Sequence, residues 1–268
     1  MNRFWVHVTT ALTAMVGVTV IVSACAHDDS SFFLQNVLAP PQGATSSGCF
    51  FTSDPTQNEL FVGILDVEAV ASFADSYQAV FLAGDQLIPQ GNQAQIQTET
   101  SRIVIQGAVV QVTDASNNQL AYYTTLGAGF LDPSNGTTPG YGPVEFTIVD
   151  PQTIDTLRKK LSWLERETIV TYTKAFGQTL GGDHVESNTF EFPITVCRGC
   201  LIQFDTDPTQ PPVPNCYATA PTGGSGPTVC FFGQDATFDC HFCYSDPYCQ
   251  CGQSACAAVV LPDAGAPD

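Results

Sequence analysis

Thr189-Phe190-Glu191-Phe192-Pro193-Ile194-Thr195-Val196 places Phe190, Phe192, Ile194 and Val196 on one face and Thr189, Glu191 and Thr195 on the other. Successive side chains of a strand point to opposite faces, so this is the pattern of a strand buried on one side. Pro193 has no N–H to donate and points to an edge or a bulge. Upstream, residues 168–176 are β-branched and aromatic, and Gly181-Gly182-Asp183 supplies positive-φ positions for a return, so the two runs are expected to pair. Residues 102–113 and 119–125 flank the turn cluster Asp114-Ala115-Ser116-Asn117-Asn118 and predict a second hairpin. Further strand-like runs at 59–66, 77–82 and 142–149 give seven or eight strands, which predicts a mainly β domain over 59–204, an immunoglobulin-like or fibronectin-like β-sandwich. One short helix interrupts it. Asp150 can cap it with Pro151 at its first position, and Ile154, Leu157, Leu161 and Leu164 recur at spacings of three and four, as in an amphipathic helix crossing between sheets.

A chain of 268 residues with 44% hydrophobic content has ample material for a packed core, which excludes a wholly disordered protein. Its 26 acidic residues against 8 Lys plus Arg give a net charge of −18, a field that repels phosphate backbones and excludes nucleic acid as a partner. Five of its basic residues, Arg158, Lys159, Lys160, Arg166 and Lys174, fall on or just after the predicted helix. They read either as a solvated face complementing the helix dipole or as a local patch for an anionic glycan or lipid headgroup.

Residues 1–3 carry one positive charge, and residues 4–22 form an apolar stretch with no acid, the mark of an export signal. Val22-Ser23-Ala24-Cys25 follows and resembles the bacterial lipobox, in which an aliphatic and two small residues precede the cysteine that receives diacylglycerol. That resemblance implies cleavage after residue 24 and lipidation, palmitate included, at Cys25. Several acyl chains would hold the protein permanently on a membrane. Ala26, where an Asp resembles an inner-membrane retention signal, favours the outer membrane. Residues 25–58 then read as anchor and tether, with Phe32-Phe33-Leu34 expected to pack on the domain.

Nine of the eleven cysteines fall between Cys197 and Cys256. Removing Cys25 leaves ten, Cys49, Cys197, Cys200, Cys216, Cys230, Cys240, Cys243, Cys249, Cys251 and Cys256, an even number suited to disulfides in an oxidising compartment. The two Cys-x-x-Cys pairs stand 39 residues apart, too far for a compact zinc ribbon, so no metal is expected. Because nine cysteines cannot all pair among themselves, Cys49 is expected to bond into the C-terminal segment, with Cys197 or Cys200 the nearest candidates. Residues 205–256 read as a disulfide-held module, and 257–268 as a disordered tail.

No Gly-x-Ser-x-Gly, His-Glu-x-x-His or phosphate-loop motif occurs. His27, His184 and His241 are poorly placed for catalysis, and Asp66 with Glu68 or Asp205 with Asp207 are the carboxylate pairs that a glycosidase or a calcium site could use. Together the lipobox, the β domain, residues 192–200 and the Cys-x-x-Gly-Gln-Asp stretch at 230–235 resemble a group of uncharacterised cysteine-rich lipoproteins of the Gram-negative cell envelope. The resemblance implies location and architecture. The leading expectation is a non-enzymatic, lipid-anchored envelope protein without catalytic residues or cofactor, presenting a binding or structural surface to an envelope protein or a glycan. The alternatives are an envelope hydrolase or carbohydrate-processing enzyme using acidic residues, and a metal or redox protein using the cysteines. An enzyme should gather acids of raised pKa in one deep pocket, whereas a binding protein should show a flat apolar or basic patch.

Overall fold

The computed structural model describes residues 31–41, 49–73, 75–91, 98–203 and 230–240. The expected signal, Cys25, His27, Asp205, Asp207, Cys216, His241, Cys243, Cys249, Cys251, Cys256 and the tail lie outside the described residues.

The chain is mainly β. Its elements run β1 Phe32–Leu38, β2 Glu59–Leu60, β3 Gly63–Asp66, α1 Val67–Phe73, β4 Tyr77–Asp85, β5 Ile103–Asp114, β6 Gln119–Leu131, β7 Gly140–Val149, α2 Pro151–Lys160, β8 Arg166–Thr179, β9 His184–Glu186, β10 Phe190–Cys197, β11 Ile202–Gln203 and β12 Phe238–Asp239. A four-stranded sheet has the order β2-β1-β4-β7, and a six-stranded sheet has the order β3-β10-β8-β5-β6 with β9 beside β8. Both feed one core: Phe32, Phe81 and Phe146 of the first sheet join Val110, Val112, Ile169, Phe192 and Ile194 of the second. The Phe81 ring meets Phe146 at 5.9 Å and Phe190 of β10 edge-on at 5.6 Å.

The decisive strand behaves as its alternation requires, with Phe192, Ile194 and Val196 buried and Glu191 exposed. It pairs antiparallel with β8 from Phe190↔Thr173 to Cys197↔Arg166. β3 joins it in parallel from Ile194↔Gly63 onward, so Pro193 stands one residue before that pairing begins, where β10 is locally an edge. The β5–β6 hairpin forms around Asp114, whose Oδ1 accepts the N–H groups of Ser116 and Asn118 while Asn117 takes φ 63°. Helix α2 connects the two sheets and buries Ile154 and Leu157.

Several expectations are corrected. The expected single helix is joined by a second, α1, which starts where the Asp66 carboxylate accepts the N–H groups of Glu68 and Ala69. Residues 32–38 are not tether but β1, hydrogen-bonded between β2 and β4. A register shift between Leu34 and Asn36 breaks the alternation there, which is why the run does not read as a strand. The run 59–66 is not one strand: β2 belongs to the four-stranded sheet and β3 to the six-stranded one. Leu164 is not on the helix, because the chain turns extended at Leu161 and Leu164 is exposed at φ 63°, its N–H bonded to the Arg198 carbonyl. Finally, packing of the β domain does not stop at residue 204, since residues 230–240 lie along β3. Gln234 bridges Leu65, Asp66 N–H donates to the Gly233 carbonyl, and Asp235 N–H donates to the Ile64 carbonyl. A sheet edge with unpaired N–H and C=O groups invites association, and here it is covered by the chain itself.

Cys49 does bond into the C-terminal segment, but to Cys230, because Cys197 and Cys200 bond to each other. Cys240 is disulfide-bonded as well. The Cys49–Cys230 bond joins residues 181 apart, and in the chain-entropy treatment a closed loop of that size is worth about 5 kcal/mol. Cys197–Cys200, at a separation of three, is worth only about 2 kcal/mol by the same relation.

Candidate functional site

Strand β6 is the outer strand of the six-stranded sheet, and its side chains alternate between half-buried and exposed along almost its whole length. The exposed row is largely apolar where an outer face is normally polar, with Thr124 interrupting it: Leu126 is 87% exposed, Tyr122 64% and Phe130 60%, with Leu120 on the same row. Val104 of β5, opposite Phe130 in the register, extends the row onto the next strand. Arg102 lies over the Phe130 ring, 5.0 Å from its centre, and also pairs with Asp132. On the other side of β6 the strand packs tightly, for a Cβ at Gly127 would stand 2.2 Å from the Phe146 ring. The hydrophobic content of β6 therefore divides between the core and the open surface.

Near one end of this row an open cavity of about 320 Å³ lies between β6 and α2, lined by Leu120, Tyr122, Tyr123, Asp150, Thr153 and Lys160 among others. Burial raises the Tyr123 phenol above its ordinary range, and its O–H donates to the Thr147 carbonyl. Asp150, whose Oδ1 accepts the Thr153 hydroxyl, is the cavity's one carboxylate.

The carboxyls held above their ordinary range are elsewhere, each on its own network. Asp85 is buried and pushed up to about 6, first by desolvation and then by the charges of Glu99 and Asp132; its Oδ1 accepts the Leu87 N–H, and its Oδ2 has no partner. Asp235, also near 6 through burial, accepts the Tyr77 hydroxyl at 2.7 Å and the Ile64 N–H at 2.8 Å. Its neighbour Gln234 accepts the Gln78 N–H and donates to the Gln78 carbonyl. Gly233, at φ 77°, lies so close to α1 that a Cβ would come within 2.5 Å of the Val70 nitrogen. The Gly-Gln-Asp stretch is thus a plug that satisfies backbone groups of β3 and β4.

The sequence-derived pair Asp66 and Glu68 is brought together but is not free. Asp66 is buried at the start of α1, where its Oδ1 accepts the N–H groups of Glu68, Ala69 and Gly199 and its Oδ2 that of Leu201. Desolvation raises its carboxyl against the pull of those four donors. Glu68 accepts Arg198 Nε at 2.7 Å. One Asp66 carboxylate oxygen and the Sγ atoms of Cys197 and Cys200 lie within 4.8 Å of one another.

Of the five basic residues, Arg158 pairs with Asp155, Lys160 with Glu167 and Lys174 with Glu186, so most of that charge is neutralised locally. Lys159 and Arg166 are exposed. His184 opens β9 at the surface. The β6 row was missed in sequence because its leucines and aromatics read as strand content, and period two does not say which face is outward. No protein-family model matches the chain, and no curated protein sequence matches it significantly.

Proposed function

We propose that this is a lipid-anchored protein of the Gram-negative envelope, a β-sandwich tethered through Cys25 that binds a protein partner on the exposed face of β6. The observation that carries the reading is the row Leu120, Tyr122, Leu126 and Phe130. Large exposed apolar side chains repeated along one strand face mark an interaction site. Leu126 in particular offers an aliphatic side chain, which matches protein apolar surface better than a sugar face. Support for the sandwich comes from two sheets sharing one core, and support for the envelope from the lipobox and the disulfides. The hydrolase reading is the weaker one among the described residues, because the β6–α2 cavity holds one carboxylate and the carboxyls of raised pKa sit on separate networks.

A photoreactive residue at position 126, introduced in the native host, should give one discrete crosslinked adduct that is lost when Tyr122 and Phe130 are replaced by Ser. A probe at exposed Lys159 serves as control. No adduct at 126, or the same adduct at both positions, refutes the binding face. The anchor is tested separately by intact mass: residues 1–24 removed and acyl mass on Cys25 are expected, and an unmodified Cys25 refutes it.

A further inference from the structure

The Cys197–Cys200 disulfide differs from Cys49–Cys230 in the loop it closes, in the unequal burial of its two cysteines and in the carboxylate beside it. It closes a turn of two intervening residues, where Cys49–Cys230 ties together residues 181 apart. Its two sulfurs are unequally placed: Cys197 is fully buried at the end of β10, and Cys200 is partly exposed in the loop that follows. A buried carboxylate, Asp66, has an oxygen within 4.8 Å of both sulfurs, and the turn is shaped around it through the N–H groups of Gly199 and Leu201. Structural disulfides do not need a proton carrier beside the buried sulfur, whereas an exchanging pair does, because the leaving sulfur is expelled as a thiolate into a site that disfavours charge.

We propose that Cys197–Cys200 is a thiol–disulfide exchange centre that accepts two electrons from a dithiol substrate, with Cys200 the sulfur attacked and Asp66 the proton carrier for Cys197. A substrate thiolate attacks Cys200 Sγ, a substrate–Cys200 bond forms, the Cys197–Cys200 bond breaks, and its electron pair leaves on Cys197 Sγ. Protonated Asp66 gives its proton to that thiolate. The substrate's second thiolate then attacks the substrate sulfur bound to Cys200, releasing the Cys200 thiolate and an oxidised substrate. The two protons lost by the substrate restore Asp66 and neutralise Cys200. One protein disulfide and one dithiol thus become one protein dithiol and one substrate disulfide. The role rests on the place of Asp66 within 4.8 Å of both sulfurs; burial raises its carboxyl, against the pull of its four N–H donors.

The test uses the full chain in detergent with reduced glutathione as the probe, followed by acid quench, alkylation and peptide mass analysis. Cys197 and Cys200 should become alkylatable while Cys49–Cys230 stays oxidised and the melting curve is retained; a Cys197–Cys200 bond that resists until the protein unfolds overturns the proposal. The sulfur assignment is read with oxidised glutathione, which should modify Cys200 in Cys197→Ser at least about tenfold faster than Cys197 in Cys200→Ser. Equal or reversed rates overturn it. Asp66→Asn keeps one acceptor oxygen but sets an NH2 group against an N–H that the other oxygen accepts, so its melting curve is recorded alongside. It should slow reduction of the intact disulfide by at least about tenfold while leaving the reaction of Cys200 in the Cys197→Ser background unchanged. Slowing both reactions, or neither, overturns the role of Asp66.

Discussion

Asp85→Asn should stabilise the protein at pH 8 and lose that advantage in acid. Asp85 sits at the end of β4, buried, with one oxygen on the Leu87 N–H and the other without a partner, facing the charges of Glu99 and Asp132. Its carboxyl titrates near 6 in the folded protein against 3.8 for an unhindered aspartate. Between those values the folded state holds a proton that the unfolded state has released, so stability falls as pH rises through the window and is constant above it. At 1.36 kcal/mol per pH unit, the ionised group costs the fold about 3 kcal/mol at pH 8. The amide removes the charge but leaves an N–H₂ group without a partner, worth about 1 to 2 kcal/mol. The net gain expected at pH 8 is therefore about 1 to 2 kcal/mol, turning to a loss of similar size below pH 4. Urea unfolding of both proteins at intervals from pH 4 to 8 measures the difference directly. Asp235, which titrates in the same range, is present in both proteins and cancels. A difference between the two proteins that does not change with pH would refute the assignment of the strain to an ionised, desolvated Asp85.

Tyr77→Phe removes the hydroxyl that donates to Asp235, so it should cost about 1 to 3 kcal/mol above pH 6 and much less near pH 4, where Asp235 is protonated; unfolding at the two pH values checks it. Cys49→Ser with Cys230→Ser should destabilise by roughly 3 to 5 kcal/mol and Cys197→Ser with Cys200→Ser by no more than about 2, as read from non-reducing urea titrations. Gly199→Ala places a Cβ 2.5 Å from the Trp163 ring at φ 81° and should cost about 2 kcal/mol or more, visible as a lowered midpoint in tryptophan fluorescence.

Wherever one side of a strand is buried, the sequence already displays the fold. Residues 103–113, 119–125, 168–176 and 190–196 lie in strands that pair as their turns demand. The helix after Asp150 is legible for the same reason, until Leu164, whose spacing continues after the helical hydrogen bonding has stopped. What is not legible depends on partners distant in the chain. β1 is obscured by its bulge, and α1 starts where Asp66 collects N–H groups from residues 133 and 135 positions away. The role of Gly233-Gln234-Asp235 appears only once Tyr77, Gln78 and Ile64 are set beside it. Cysteine parity gave Cys49 a partner in the C-terminal segment, but counting cannot choose among partners, and the choice fell on Cys230.

That the plug at 233–235 serves strands near the beginning of the chain has a consequence for the order of assembly. A ribosome delivers β3 and β4 long before it delivers Gln234 and Asp235. Until then the Tyr77 hydroxyl and the Gln78 backbone have no protein partner, and the β3 edge is bare. Consolidation of β3 and β4 therefore needs residues 233–235, and a chain cut short ahead of them presents an open strand to its neighbours.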